Sequence, residues 1–86
     1  MTPEELQYQF ETQEPRRLNT IATAHVIAFA RHVLERIPPA RWNAKQWATT
    51  TGIVDVYRRS QTISVRQKWF IVNTLRETVP ENVFYL

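Results

Sequence analysis

The sequence predicts an all-α fold: a small bundle of three main helices at about residues 20–37, 43–60 and 65–79, preceded by a short acidic helix. Three observations carry that expectation. Gly52 is the only glycine, whereas an all-β chain of this size needs several turns, and turns favour glycine. Apolar residues recur at the spacing of one helical face. Prolines 3, 15, 38, 39 and 80 fall at the margins of those periodic stretches, where helices start or stop. With 86 residues the chain forms one domain, residues 1–14 being an acidic N-terminal arm and 80–86 an apolar C-terminal tail.

Taken in order, Thr2-Pro3-Glu4-Glu5 is a helix start, with Thr2 as cap, Pro3 in the first helical position and Glu5 closing a capping box. Leu6 and Phe10, four apart, share its apolar face. Residues 15–19 are expected to be a linker. Asn19 or Thr20 then caps a helix to about Ile37, whose buried stripe is Ala22, Val26, Phe29, Ala30, Val33 and Ile37, widened by Ile27 and Leu34. Its other face carries His25, Arg31, His32, Glu35 and Arg36, with the small Ala24 and Ala28 between them. Pro38-Pro39 ends it.

From Asn43 to about Ser60, Trp47, Ile53, Val54 and Tyr57 can share one helical side, and Asp55 precedes Arg59 at ion-pair spacing. Thr49-Thr50-Thr51-Gly52 is a poor helix interior, so this helix is either held by packing or broken at Gly52. The clearest helix follows. Ser64 and Gln67 form a capping box, and Val65, Trp69, Ile71, Val72, Leu75 and Val79 form a broad apolar face. Pro80 is expected to stop it. Lys68 falls within the apolar face and must snorkel or pair, whereas Phe70 points the other way, toward Arg66, Asn73, Thr74 and Glu77. The tail Val83-Phe84-Tyr85-Leu86 is too apolar to stay free, so it docks or pairs with a partner, a homodimer included.

Hydrophobic content of 43% fits a globular chain rather than a disordered one. The absence of cysteine excludes a disulfide framework, a thiolate zinc site and a thiol nucleophile. No apolar run long enough to span a membrane and no signal-peptide pattern is visible, so no membrane partner and a cytoplasmic location are expected. The motifs of common chemistries are missing too: no glycine-rich phosphate loop, no Gly-x-Ser-x-Gly, no His-Glu-x-x-His. His25 and His32, seven apart, lack the third ligand that a metal would need. The expectation is therefore a protein that is not an enzyme, with no cofactor and no metal.

Charge is the informative feature. Residues 1–14 carry four glutamates and no base, whereas residues 15–86 carry all eleven bases against four acids, a balance of +7. Nine of the eleven bases are arginine, which suits bidentate contact with phosphate or carboxylate. Arg58 and Arg59 precede a short turn, Arg66 follows it, and Arg16-Arg17 can join them. The expected nucleic-acid-binding set is Arg16, Arg17, Arg58, Arg59 and Arg66 on phosphates, with Phe70 and Asn73 nearest any base.

Two local patterns add to this. Trp47-Ala48-Thr49-Thr50-Thr51-Gly52-Ile53, with a small residue four before a glycine, resembles the first helix and turn of a helix-turn-helix over residues 44–60, although the family's later apolar positions fall on Arg58 and Gln61. Val54, Tyr57, Arg58-Arg59 and then Ile63-Ser64-x-x-Gln67-x-Trp69, ending near Leu75, resembles a small helical module of phage- and plasmid-type proteins over residues 53–75. There Ile63 stands for a leucine, Arg66 for a lysine, and Trp69 comes one position early. The resemblance implies a mobile-element origin, and with it a host-cell cytoplasm. The expected function is a small, basic, non-enzymatic nucleic-acid-binding protein, with DNA favoured over RNA. The alternative is a phage-type inhibitor or adaptor that docks on a host protein, a polymerase or a defence nuclease, through an aromatic patch with a basic rim.

Overall fold

A computed structural model describes all residues, 1–86. It contains helices α1 (Pro3–Thr12), α2 (Pro15–Leu18), α3 (Thr23–Arg36), α4 (Ala44–Ser60) and α5 (Val65–Glu81), with 3-10 turns at Pro39–Arg41 and Val83–Tyr85. No strand is present, and no helix is long and apolar enough to cross a membrane. Helix α5 packs against each of the other four. Its Ile71, Val72, Leu75 and Val79 are fully buried and meet Leu6, Phe10, Leu18, Val26, Phe29, Val33 and Ile53 in one core.

The first two helices are built locally and then fastened. Thr2 Oγ1 accepts the Glu5 N–H at 3.2 Å, and the Glu5 carboxylate accepts the Thr2 N–H at 3.4 Å, closing the expected capping box. Leu6 and Phe10 are buried, and the Phe10 ring stacks on Phe29 with centroids 5.2 Å apart. The segment expected to be a linker is instead one helical turn, α2. Pro15 sets helical geometry at its start, and Leu18 has no exposure at all. This turn also explains why α3 starts later than expected. The Asn19 N–H closes on the Pro15 carbonyl at 2.9 Å, and Thr20 Oγ1 donates to the Arg17 carbonyl at 2.6 Å, so both residues finish α2 rather than open α3. Its N-cap is Ala22, exposed and without a side-chain bond.

Helix α3 ends at Ile37, whose carbonyl accepts the Trp42 indole N–H at 3.2 Å. Asn43 Oδ1 then accepts the Gln46 N–H at 3.1 Å and starts α4. Helix α4 passes through Gly52 without a break, so the turn that a helix-turn-helix needs there is not formed. Packing of Thr50, Ile53 and Val54, all buried, outweighs the weak helix propensity of the threonine run. The helix closes at Gln61, the single residue in left-handed geometry, at φ 61°. Glycine usually fills this position, because a Cβ there costs about 1 kcal/mol.

Ser64 and Gln67 exchange bonds of 3.1 and 2.8 Å in the second capping box. Helix α5 then runs two residues beyond its expected end at Val79. Pro80 stands in its last turn, where little helix remains to be kinked, and Asn82 completes the end by donating Nδ2 to the Thr78 carbonyl at 2.8 Å. Val65, expected in the buried face, is 74% exposed in the first turn of α5. The tail turns back: Tyr85 and Leu86 pack on the core, whereas Phe84 stays 76% exposed.

Two cations of α5 hold the short helices in place. Arg76 Nε donates to the Gln13 carbonyl at the C-cap of α1, at 2.7 Å. Lys68 Nζ donates to the Asn19 carbonyl at the C-cap of α2, at 2.9 Å. Both carbonyls lie at the negative end of a helix, where a cation is favoured. A part-buried hydrogen bond from a charged donor contributes about 1.5–3 kcal/mol. Arg76→Met, which keeps the aliphatic stem, is expected to lower the urea midpoint by the equivalent of about 2 kcal/mol without changing its slope. An unchanged midpoint would show that α1 is held by Leu6 and Phe10 alone.

Candidate nucleic-acid interface

The antiparallel pair α4 and α5 is joined by the short connection 61–64, so the end of α4 and the start of α5 lie together. Arg58 and Arg59 stand in the last turn of α4 and Arg66 in the first turn of α5. The Lys68–Asn19 bond holds the C-terminal end of α2, the helix that carries Arg16 and Arg17, against the first half of α5. Phe84 and Tyr85 lie at the other end. There Arg41 Nε donates to Asn82 Oδ1 at 2.8 Å, and its guanidinium sits 5.9 Å from the Tyr85 ring centre. The length of α4, about 25 Å, separates the two ends.

The five arginines differ in how free they are. Arg58 Nη2 meets Asp55 Oδ1 at 2.6 Å and Arg59 Nη2 meets Asp55 Oδ2 at 3.2 Å, so two guanidiniums share one carboxylate. Their side chains remain 66% and 67% exposed, and exposed pairs of this kind are weak and screened. Arg16, Arg17 and Arg66 are exposed and make no side-chain hydrogen bond or ion pair within the chain. Asn73 is exposed on α5. Phe70 corrects an expectation. It is half-buried and packs against the core, because α4 covers the side of α5 that the helical wheel left polar; Thr74, one turn on, is 2% exposed. Helix α5 is therefore buried over a wider arc than its apolar stripe.

Three further residues gather where sequence reasoning did not place a site. Arg31, Tyr57 and Gln61, with Arg58, line a cleft of about 200 Å³ between α3 and α4. Its floor is Ala24, Ile27, Ala28 and Val54. The two alanines, placed among charged residues on the outer face of α3, were the available signal. Arg31, like Arg66, is exposed and has no partner within the chain.

His32 lies beside the cleft. Its ring is half-buried and stacks near Phe29 with centroids 6.1 Å apart. Burial, aided by the adjacent Arg36 charge, holds its pKa below the ordinary 6.5, against a smaller opposing pull from Glu35 and Glu4. Its Nδ1 accepts a bond from Arg36 Nε at 3.2 Å, which requires the unprotonated nitrogen. Asp55 is likewise held below its ordinary 3.8, first by the Arg58 hydrogen bond.

The sign for His32 follows from linkage. The unfolded chain takes up this proton at about 6.5, before the folded chain does. The neutral imidazole therefore contributes stability above pH 6.5, and that contribution is lost as the pH falls through the folded-state value. Urea midpoints measured between pH 7.5 and 5.5 are expected to fall on acidification in the native chain and to flatten in His32→Gln. An equal fall in both would assign the effect elsewhere.

Neither a protein-family model, nor a curated protein, nor a solved structure matches this chain.

Proposed function

We propose that this chain is a small, non-enzymatic nucleic-acid-binding protein of phage type, with DNA favoured over RNA, whose α2/α4–α5 end holds the phosphate backbone. The observation that supports it is the set of exposed guanidiniums without partners, Arg16 and Arg17 on α2 and Arg66 at the start of α5, with Arg58 and Arg59 exposed just before the α4–α5 connection. Arginine left unpaired on a surface keeps its full capacity for bidentate phosphate contact. Arg58 and Arg59 exchange a shared, solvent-screened carboxylate for phosphate at small cost. Asn73 lies farther along α5, toward any base. The local resemblance of residues 53–75 to a phage- and plasmid-type module agrees with this role.

Each neutralised phosphate releases counterions, so affinity falls with salt at a slope of roughly 0.9 per contact. Binding to DNA measured by fluorescence anisotropy from about 50 to 200 mM salt is expected to fall steeply. The triple variant Arg16→Ala, Arg17→Ala, Arg66→Ala is expected to reduce that slope by nearly 3, with unchanged circular dichroism. Absence of binding to DNA and RNA at about 50 mM salt would end this proposal.

One observation favours a second role. Phe84, 76% exposed, lies tilted against Tyr85 with ring centroids 4.3 Å apart, beside Arg41. An exposed aromatic braced by a half-buried one, with a basic neighbour, suits a protein partner: a host polymerase or defence nuclease, or a second copy of this chain. Since this patch lies at the opposite end from Arg66, the two roles separate by mutation. A nuclease-resistant partner lost in Phe84→Ala, or a mass by light scattering that drops to monomer in the same variant, would support the protein role.

A further inference from the structure

The geometry points to single-stranded nucleic acid as the ligand, with one unpaired base seated in the cleft between α3 and α4. This deepens the proposed function and rests on it. Size comes first. At about 200 Å³ the cleft lies below the roughly 300–1,000 Å³ of sites for drug-sized ligands. It has room for one flat ring system and not for a helix of a partner protein.

The walls suit that occupant. Ala24 and Ala28 leave a shallow step on α3, because a methyl group is all that stands there, and the buried Ile27 closes the floor. Tyr57 supplies an aromatic surface from α4, half-buried and so held in place. Base–aromatic stacking tolerates any base, since every base has a π-face.

Charge selects the polymer. Arg31 reaches the cleft from α3 and Arg58 from α4, so a base lying in it has a guanidinium on either side, where the flanking phosphates run. Arg58 also belongs to the basic end. Arg59 is its neighbour in the same last turn of α4, so a backbone held there runs close to the cleft.

Gln61 supplies polar atoms at the cleft's end. Its backbone is left-handed, a geometry that favours glycine, yet a side chain with a donor and an acceptor stands there. Its Nε2 lies 3.4 Å from the carbonyls of Tyr57 and Arg58, the long limit of a hydrogen bond, so exchange for a base edge costs little. In a duplex those edges are paired and stacked, and a base enters only after extrusion.

Anisotropy with fluorescein-labelled oligothymidylate, oligouridylate and a duplex of equal length tests the assignment. The native chain is expected to bind the single strands at least about tenfold more tightly than the duplex at equal salt. Ala28→Leu fills the cleft from an exposed helical position that accepts leucine. It is expected to bring single-strand affinity down to the duplex value while leaving the duplex salt slope unchanged. Gln61→Gly is expected to raise the melting temperature and still weaken single-strand binding, a pair of effects that a merely structural residue would not give. Equal affinity for strand and duplex, insensitive to Ala28→Leu, would overturn the cleft assignment and leave the basic-end proposal standing. Binding of neither polymer would overturn both. Poly-glutamate binding abolished by Ala28→Leu, with strand binding untouched, would assign the cleft to an acidic protein segment and overturn it as well.

Discussion

Helix α5 is surrounded. Four helices pack on it, and its cations are used as much as its apolar residues, because Lys68 and Arg76 land on the carbonyl ends of α2 and α1. Those ends carry partial negative charge and lack intrahelical partners. A helix of four residues such as α2 has almost no stability of its own. It persists because Leu18 is buried below it and Lys68 closes its end. The geometry of the whole molecule depends on this double use of α5, apolar along its length and cationic at two points.

That use divides the basic residues into two populations. Lys68, Arg76 and Arg41 bond to backbone or amide oxygens and serve the fold. Arg16, Arg17, Arg31 and Arg66 have no such duty. Arg58 and Arg59 lie between, sharing Asp55 across an exposed surface. Net charge alone would not separate these groups. The overall +3 hides a set of exposed, unpartnered bases that the fold leaves over.

Much of the fold was legible because it is written in local chemistry. Both capping boxes, the Asn43 cap and the stripes of α3 and α5 depend on residues within one or two turns of each other. What escaped depends on contacts distant in sequence. Leu18 reads as part of a linker until α5 is there to bury it. Phe70 and Thr74 read as an outward edge until α4 covers them. Gly52 leaves both a break and a continuous helix open until Ile53 and Val54 are buried. The candidate site divides in the same way. Arg58, Arg59 and Arg66 lie on one turn and were visible. Arg31 and Tyr57, far apart in the chain, meet only because α3 and α4 do.

The helix that the others require is also the last of the five to be made. On a ribosome adding roughly 5–20 residues per second, α1 to α4 emerge with much of their apolar surface uncovered and must wait for α5 before the shared core is complete. Contacts such as that between α1 and α5 span most of the polypeptide, and closing so long a loop early brings little reward. Assembly is therefore a late, all-at-once event, and a nascent chain stalled before Val65 would expose Phe10, Phe29 and Val33 to whatever chaperone or protease is nearest.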